Sequence, residues 1–196
     1  MTEKAGAKQT ILQAAERCIA RSGVRGLRVH DVAAEAGVST SLLYYHFTDR
    51  DGLLAATLDH VNDNASVYRL EGTSGDTAVD RLASLLVGEI QDVDEVRTGS
   101  VAWNELRATA VFEDNLRAPL ARTTETWNDR ITAALDETEA DGDHAALAQV
   151  LTALVEGLSG RWLGGELTTR EAQDLLRTAI DHLIRPGGPI RTGRTA

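Results

Sequence analysis

This sequence is poor in the residues that build oxidised, metal-bound or catalytic scaffolds. Of 196 residues one is a cysteine, Cys18. A lone cysteine excludes an internal disulfide, and with no secretory leader at the start of the chain it points to a reducing, cytoplasmic setting. Its neighbours Ala15 and Ile19 continue an apolar stripe, which favours inert burial over reactivity. No apolar run reaches the roughly 18 residues of a membrane span. The histidines, His30, His46, His60, His144 and His182, stand singly and lack metal-ligand spacing. The sequence contains no GxSxG, no glycine-rich phosphate loop, no HExxH and no CxxC. No metal, cofactor or catalytic group is therefore expected. Prolines number three, and apolar residues recur at helical spacing along the chain. The class that remains is all-α, with about nine helices.

Positive charge is also in deficit. The formal net charge is −10, which at first argues against a polyanionic partner. The charge is unevenly spread, however. Residues 1–48 carry Lys4, Lys8, Arg17, Arg21, Arg25 and Arg28 against Glu3, Glu16, Asp31 and Glu35, a net of +2 that leaves −12 for the rest. Phosphate affinity follows local charge, so a mildly basic head on an acidic body is compatible with nucleic-acid binding at modest non-specific affinity.

What is present concentrates in residues 28–47, RVHDVAAEAGVSTSLLYYHF. Val32, Ala33 and Ala36 form the apolar side of a short amphipathic helix, with Asp31 and Glu35 opposite. Gly37 comes next, where a left-handed stop costs least. Ser39 then offers a hydroxyl to cap a second helix. In that helix Leu43 and Phe47, spaced i and i+4, are the inner side. Thr40, Ser41, Tyr44, Tyr45 and His46 are left outward: hydrogen-bonding groups and aromatic edges, with almost no charge. Alanine-rich helix pairs joined by glycine also occur as plain core elements, but a soluble domain rarely exposes paired tyrosines without use. The pattern is that of a helix-turn-helix, whose second helix enters the DNA major groove.

The stretch AAEAGVSTSLLYYHFTDRDGLL, residues 33–54, resembles the signature of the TetR-type (TetR/AcrR) transcriptional repressors. The likeness is dense over about the first 60 residues and a matter of layout beyond. It implies that Thr40, Ser41 and Tyr44 approach base edges and that Leu42 presses on a thymine methyl. It further implies that Arg28, Ser39, Tyr45, His46, Thr48 and Arg50 hold phosphates and fix register. Two positions depart from the family. Arg28 stands where Ser or Thr usually caps the first helix of the motif, and Thr48 where a phosphate-reaching Lys is common.

Taken in order, residues 1–8 read as a loose arm and residues 10–22 as the first helix, stopped by Gly23. Asp49 caps a fourth helix running to about residue 69, on which His60 is solvated or interhelical. A polar loop comes at 71–77, then helices over about 78–91, 100–112 and 116–138, with acidic turns at 92–95 and 139–144. The last two helices, centred on 147–162 and 172–184, have the widest apolar stripes. Three regions are expected: a head at 1–52, a helical body at 53–185, and a disordered tail at 186–196.

The resemblance gives the body two tasks. One is to enclose a small-molecule effector. Tyr68, Trp103, Phe112 and Trp127 are the candidate aromatic lining, and Glu105 and Glu156 are carboxylates suited to a cationic or aromatic ligand. The run EGLSGRWL at 156–163 resembles the betaine-pathway repressors of the same family. The other task is to pair two chains through the last two helices, with Leu151, Leu154, Leu158, Trp162, Leu176, Ile180 and Leu183 as the expected homodimer contacts. The function implied is a ligand-responsive repressor that binds a near-palindromic double-stranded operator as a dimer and is not membrane-bound. The alternatives are an all-helical small-molecule enzyme and a protein-interaction module that does not bind DNA.

Overall fold

The computed structural model describes residues 2–72 and 75–184, and side chains over 6–63 and 75–184. The expected tail at 186–196 and the side chain of Tyr68 lie outside the described residues. The described part consists of helices α1 (Thr2–Gly26), α2 (Val29–Glu35), α3 (Thr40–His46), α4 (Arg50–Gly72), α5 (Ala78–Val87), α6 (Asp94–Thr109), α7 (Arg117–Asp136), α8 (His144–Leu163) and α9 (Thr169–Ile184), with a 3-10 turn at Asp114–Leu116. No strand occurs among the described residues, so the expected all-α class is met. No helix there is long and apolar enough to cross a membrane.

The chain forms two compact units. Residues up to 67 and residues 93–124 make the first; residues 68–92 and those from 125 onward make the second. The first unit therefore takes in more than residues 1–52. Its core joins Ile11, Ala15, Cys18 and Ile19 of α1 to Val32, Leu43, Phe47, Leu53, Leu54 and Leu58 of α2 to α4, and to Ala102 and Leu106 of α6. Burial pushes the Cys18 thiol up, which keeps it protonated and inert. His60 is also buried, with Nε2 3.4 Å from Glu16 and Nδ1 3.5 Å from Gln9, both on α1. Of the two expected environments, the interhelical one is realised.

The second unit is built around Leu82, Leu86 and Ile90, Trp127, Ile131 and Leu135, and the inward sides of α8 and α9. Polar side chains tie its helices together. Thr152 donates to Asn128 Oδ1 at 2.6 Å, Trp162 Nε1 to Thr169 at 2.9 Å, and Gln173 Nε2 to the Ile90 carbonyl at 2.6 Å. A capping box starts α5 (Thr77 with Asp80) and a similar reciprocal pair starts α9 (Thr168 with Glu171).

Two boundaries differ from expectation for local reasons. The arm at 1–8 is helical from Thr2, and the helical backbone is interrupted only at Gly23, with φ 71° and ψ 167°. The acidic turn before the sixth helix is its first turn, because Asp94 and Glu95 suit the positive end of a helix dipole. That helix ends at Thr109, so Phe112 falls beyond it.

Glu35 fastens α2 to α1: Arg17 Nε donates to its carboxylate at 3.0 Å and Arg21 Nη2 at 3.2 Å. These hydrogen bonds hold the Glu35 carboxyl below its ordinary range. A depressed folded-state pKa stabilises the fold above the unfolded pKa, and that contribution disappears as pH falls through the depressed value. We expect Glu35→Gln to melt slightly below the wild type at pH 7. The gap should close as pH falls below the usual carboxylate range, as measured by parallel thermal melts across pH. A gap that persists or widens in acid contradicts this role.

Candidate nucleic-acid interface

The outward helix of the head is defined at both ends by its own sequence. Gly37 adopts φ 67°. Val38 N–H donates to the Ala33 carbonyl at 2.9 Å and Gly37 N–H to that of Ala34 at 3.1 Å, a Schellman stop for α2. Ser39 is the N-cap of α3, its Oγ accepting from Leu42 N–H at 3.1 Å. Asp49 opens α4 by accepting from Gly52 N–H at 2.7 Å. The turn therefore has no slack at either end of α3.

Burial then divides the faces of α3. Leu43 is 0% exposed and Phe47 just after the helix 4%, whereas Tyr44 is 48% and Tyr45 65% exposed. Ser39, Thr40, Ser41 and Thr48 are exposed, and Leu42 and His46 intermediate. The Tyr45 and His46 rings meet edge to face at 5.4 Å, which restricts both. The His46 Nε2 is buried without a hydrogen-bond partner among the described residues. Lys8 Nζ lies 6.0 Å from the Phe47 ring centroid, at the outer limit of a cation–π contact. Arg28 occupies the N-cap position of α2 without capping it and is exposed. Nine of the ten expected DNA-contacting residues thus lie on α3, its flanks or the start of α2.

The tenth, Arg50, is engaged within the protein. Its Nη2 donates to the Val24 carbonyl at 2.8 Å, and its Nη1 lies 3.8 Å from Glu113 Oε1. Arg17 and Arg21, which the sequence does not mark as site residues, flank α2 and are paired with Glu35. The spacing of 14 and 18 residues between these partners exceeds any helical period, so only the tertiary packing of α1 on α2 reveals them.

The expected effector residues are not gathered in one place. Trp103, Glu105 and Phe112 belong to the first unit, Trp127 and Glu156 to the second. Trp103 packs on the first core. The Glu105 carboxylate accepts from Val24 N–H at 3.1 Å. Phe112 is 76% exposed on the turn after α6. Trp127 is buried in the second core, and Glu156 is half-buried on α8. Among the described residues no group of His, Cys, Asp and Glu is arranged to hold a metal ion.

The expected pairing residues divide as well. Leu151, Leu158, Trp162, Leu176 and Ile180 are buried in the chain's own core, and Leu154 is intermediate. Leu183 is exposed, together with Val150 and Leu175, which lie on the same apolar stripes but are not among the expected pairing residues. Periodicity gives the width of an apolar stripe but not which edge of it the same chain covers.

Comparison with known proteins agrees with this geometry. Residues 11–57 match the family model of bacterial regulatory proteins, tetR family, and residues 78–185 match that of the BetI-type transcriptional repressor, C-terminal. The HTH-type transcriptional regulator BetI of Burkholderia mallei is 27% identical over 180 residues, covering 90% of this chain and 92% of that protein. A putative TetR-family transcriptional regulator from Rhodococcus sp. is 52% identical, with a TM-score of 0.86 over 94% of this chain and 100% of that one. A putative transcriptional regulator from Saccharomonospora viridis, solved in complex with choline, is 24% identical, with a TM-score of 0.75 over 93% and 97% of the two chains.

The division of faces on α3 predicts opposite phenotypes for neighbouring substitutions. Tyr45→Ala should lower affinity for a cognate duplex by about tenfold or more, the effect of removing one hydrogen bond to a charged group. Its melting temperature should stay within about 2 °C of wild type, as for a surface site. Leu43→Ala should cost about 2–5 kcal/mol of stability. Fluorescence-anisotropy titration and thermal melting separate the two. A Tyr45→Ala chain that unfolds would place the ring in the core.

Proposed function

Because this chain belongs to the TetR family of bacterial regulatory proteins, with a C-terminal part of the BetI type, we propose a specific way in which it reads DNA and a chemical class of effector to which it responds. The chain is a helix-turn-helix DNA-binding transcriptional repressor that responds to a small molecule. Family membership disposes of the enzyme and interaction-module alternatives. The head, residues 1–52, reads the operator; residues 53–185 bind the effector and pair the chains.

One observation carries the DNA reading: on a seven-residue helix, Leu43 is sealed inside while Tyr44 and Tyr45 stand out. Thr40, Ser41 and Tyr44 approach base edges in the major groove, and Leu42 presses on a thymine methyl. Ser39, Tyr45, His46, Thr48 and Arg28 hold the phosphates on either side. A second copy pairs through α8 and α9, against Val150, Leu154, Leu175 and Leu183, and the two α3 helices take half-sites about 34–36 Å apart on a near-palindromic operator.

The effector is a quaternary ammonium compound. Three things support this: the BetI-type match of residues 78–185, the choline held by the Saccharomonospora viridis regulator, and the donor set of the second unit. There Trp127 and Glu156 stand on neighbouring helices, joined by the Asn128–Thr152 hydrogen bond. An indole face and a half-buried carboxylate suit a soft cation that cannot donate a hydrogen bond. Regulation requires that this ligand bind one conformation of the dimer more tightly than the other.

The test uses a duplex selected by the wild-type chain from a random pool. Affinity should fall steeply with salt, in proportion to the phosphates contacted. Choline should raise the melting temperature and change the affinity for the duplex. Its neutral isostere 3,3-dimethyl-1-butanol should do neither, and Trp127→Phe should respond less to choline. Equal effects of the two compounds, or none, would remove the ammonium reading and leave the DNA reading standing.

A further inference from the structure

The backbone of Val24 is gripped on both sides by charged side chains from distant parts of the sequence. Its N–H donates to Glu105 Oε2, on α6, at 3.1 Å, across 81 residues. Its carbonyl accepts from Arg50 Nη2, the first residue of α4, at 2.8 Å, across 26 residues. Arg50 Nη1 is in turn 3.8 Å from Glu113, beyond the end of α6. The Val24 side chain is fully buried.

The need for such a grip arises at Gly23. Its left-handed φ of 71° breaks α1, so the next N–H loses the carbonyl that would have accepted it, and a buried amide requires a replacement. Glu105 supplies one, and its carboxylate fills the space a Cβ on Gly23 would need, with Oε2 2.8 Å from that point. Hydrogen bonds with one charged partner are stronger than neutral ones. The gripped residue lies just past the kink, in the last turn of α1 before Leu27 and Arg28 lead into α2, so its conformation aims α2 and hence α3.

We propose that Glu105 and Arg50 are positioning residues for DNA reading. Together they hold the Val24 joint so that the recognition helix takes its direction from α6 and α4, and neither touches DNA. Arg50 acts here through the joint and not as a phosphate contact. The inference rests on the DNA-reading function stated above.

The experiment compares full-length Glu105→Ala, Glu105→Gln and Arg50→Ala with wild type. Two duplexes are used: one selected by the wild type and a scrambled one of equal composition. Glu105→Ala should bind the selected duplex about tenfold more weakly, the scale of one charge-assisted hydrogen bond. Binding to the scrambled duplex and the cooperativity of melting should be unchanged. Glu105→Gln, which keeps an acceptor, should recover to within about threefold of wild type. Arg50→Ala should show the same selective loss, and the Glu105→Ala/Arg50→Ala double variant should be less than additive, since both act on one joint. If Glu105→Ala does not fold, Arg50→Ala and Glu105→Gln decide the matter. The proposal is overturned if Glu105→Ala binds as wild type or if Glu105→Gln is no better than Ala. It is also overturned if Arg50→Ala loses both duplexes equally with a shallower salt dependence, the mark of a phosphate contact. A wild type that selects no duplex would overturn the DNA reading itself, a different and separately visible result.

Discussion

A helix of seven residues does not persist in water on its own. α3 exists because Leu43 and Phe47 are held in the core of the first unit, against the helices that flank them in sequence and against α1. That requirement sets the surrounding local chemistry. Gly37 must stop α2 abruptly, Ser39 must cap α3, and Asp49 must begin α4 without a long connection. Once the inner face is fixed, the outer face is fixed as well, because residues of one short helix cannot rotate independently. Exposure of Tyr44 and Tyr45 is thus a consequence of burying Leu43, which leaves that side for the DNA contact proposed above.

The supporting frame is larger than three helices. α6 packs extensively on α1 and shares its core. Residues 93–124 accordingly belong to the same compact unit as the DNA-reading segment. The acidic balance of the chain fits the same division of labour. The excess of carboxylates lies outside residues 1–48, where it costs no phosphate affinity and disfavours non-specific contact with DNA.

Local chemistry makes much of this legible from sequence, and tertiary packing hides the remainder. Gly37, Ser39, Leu43, Phe47 and Asp49 announce their roles because a left-handed stop, a hydroxyl cap and an i, i+4 apolar pair each act within a few residues. The start of α6 is misjudged for an equally local reason: Asp94 and Glu95 look like a solvated turn, yet acidic residues are also what a helix N-terminus favours. Phe112 reads as pocket lining if α6 is extended to meet it, and as an exposed ring once α6 ends at Thr109. The stripes on α8 and α9 tell which residues are apolar. They do not tell that Leu151 and Ile180 complete the chain's own core while Val150 and Leu175 face away from it. Glu105 reads as an effector carboxylate and Arg50 as a phosphate contact, because nothing local shows that folding brings the Val24 backbone between them.

The central claim is that the outward face of α3 enters the major groove. It is tested most directly by directed cleavage. A chain with Cys18→Ala and Thr40→Cys carries a single thiol, at the start of α3, to which an iron chelate can be attached to cut nearby DNA. The account predicts two clusters of cuts on a duplex selected by the protein, one in each half-site, with centres about one helical turn apart. Uniform cutting along the duplex, or cuts no different from those of free iron chelate, would show that this helix does not sit in the groove.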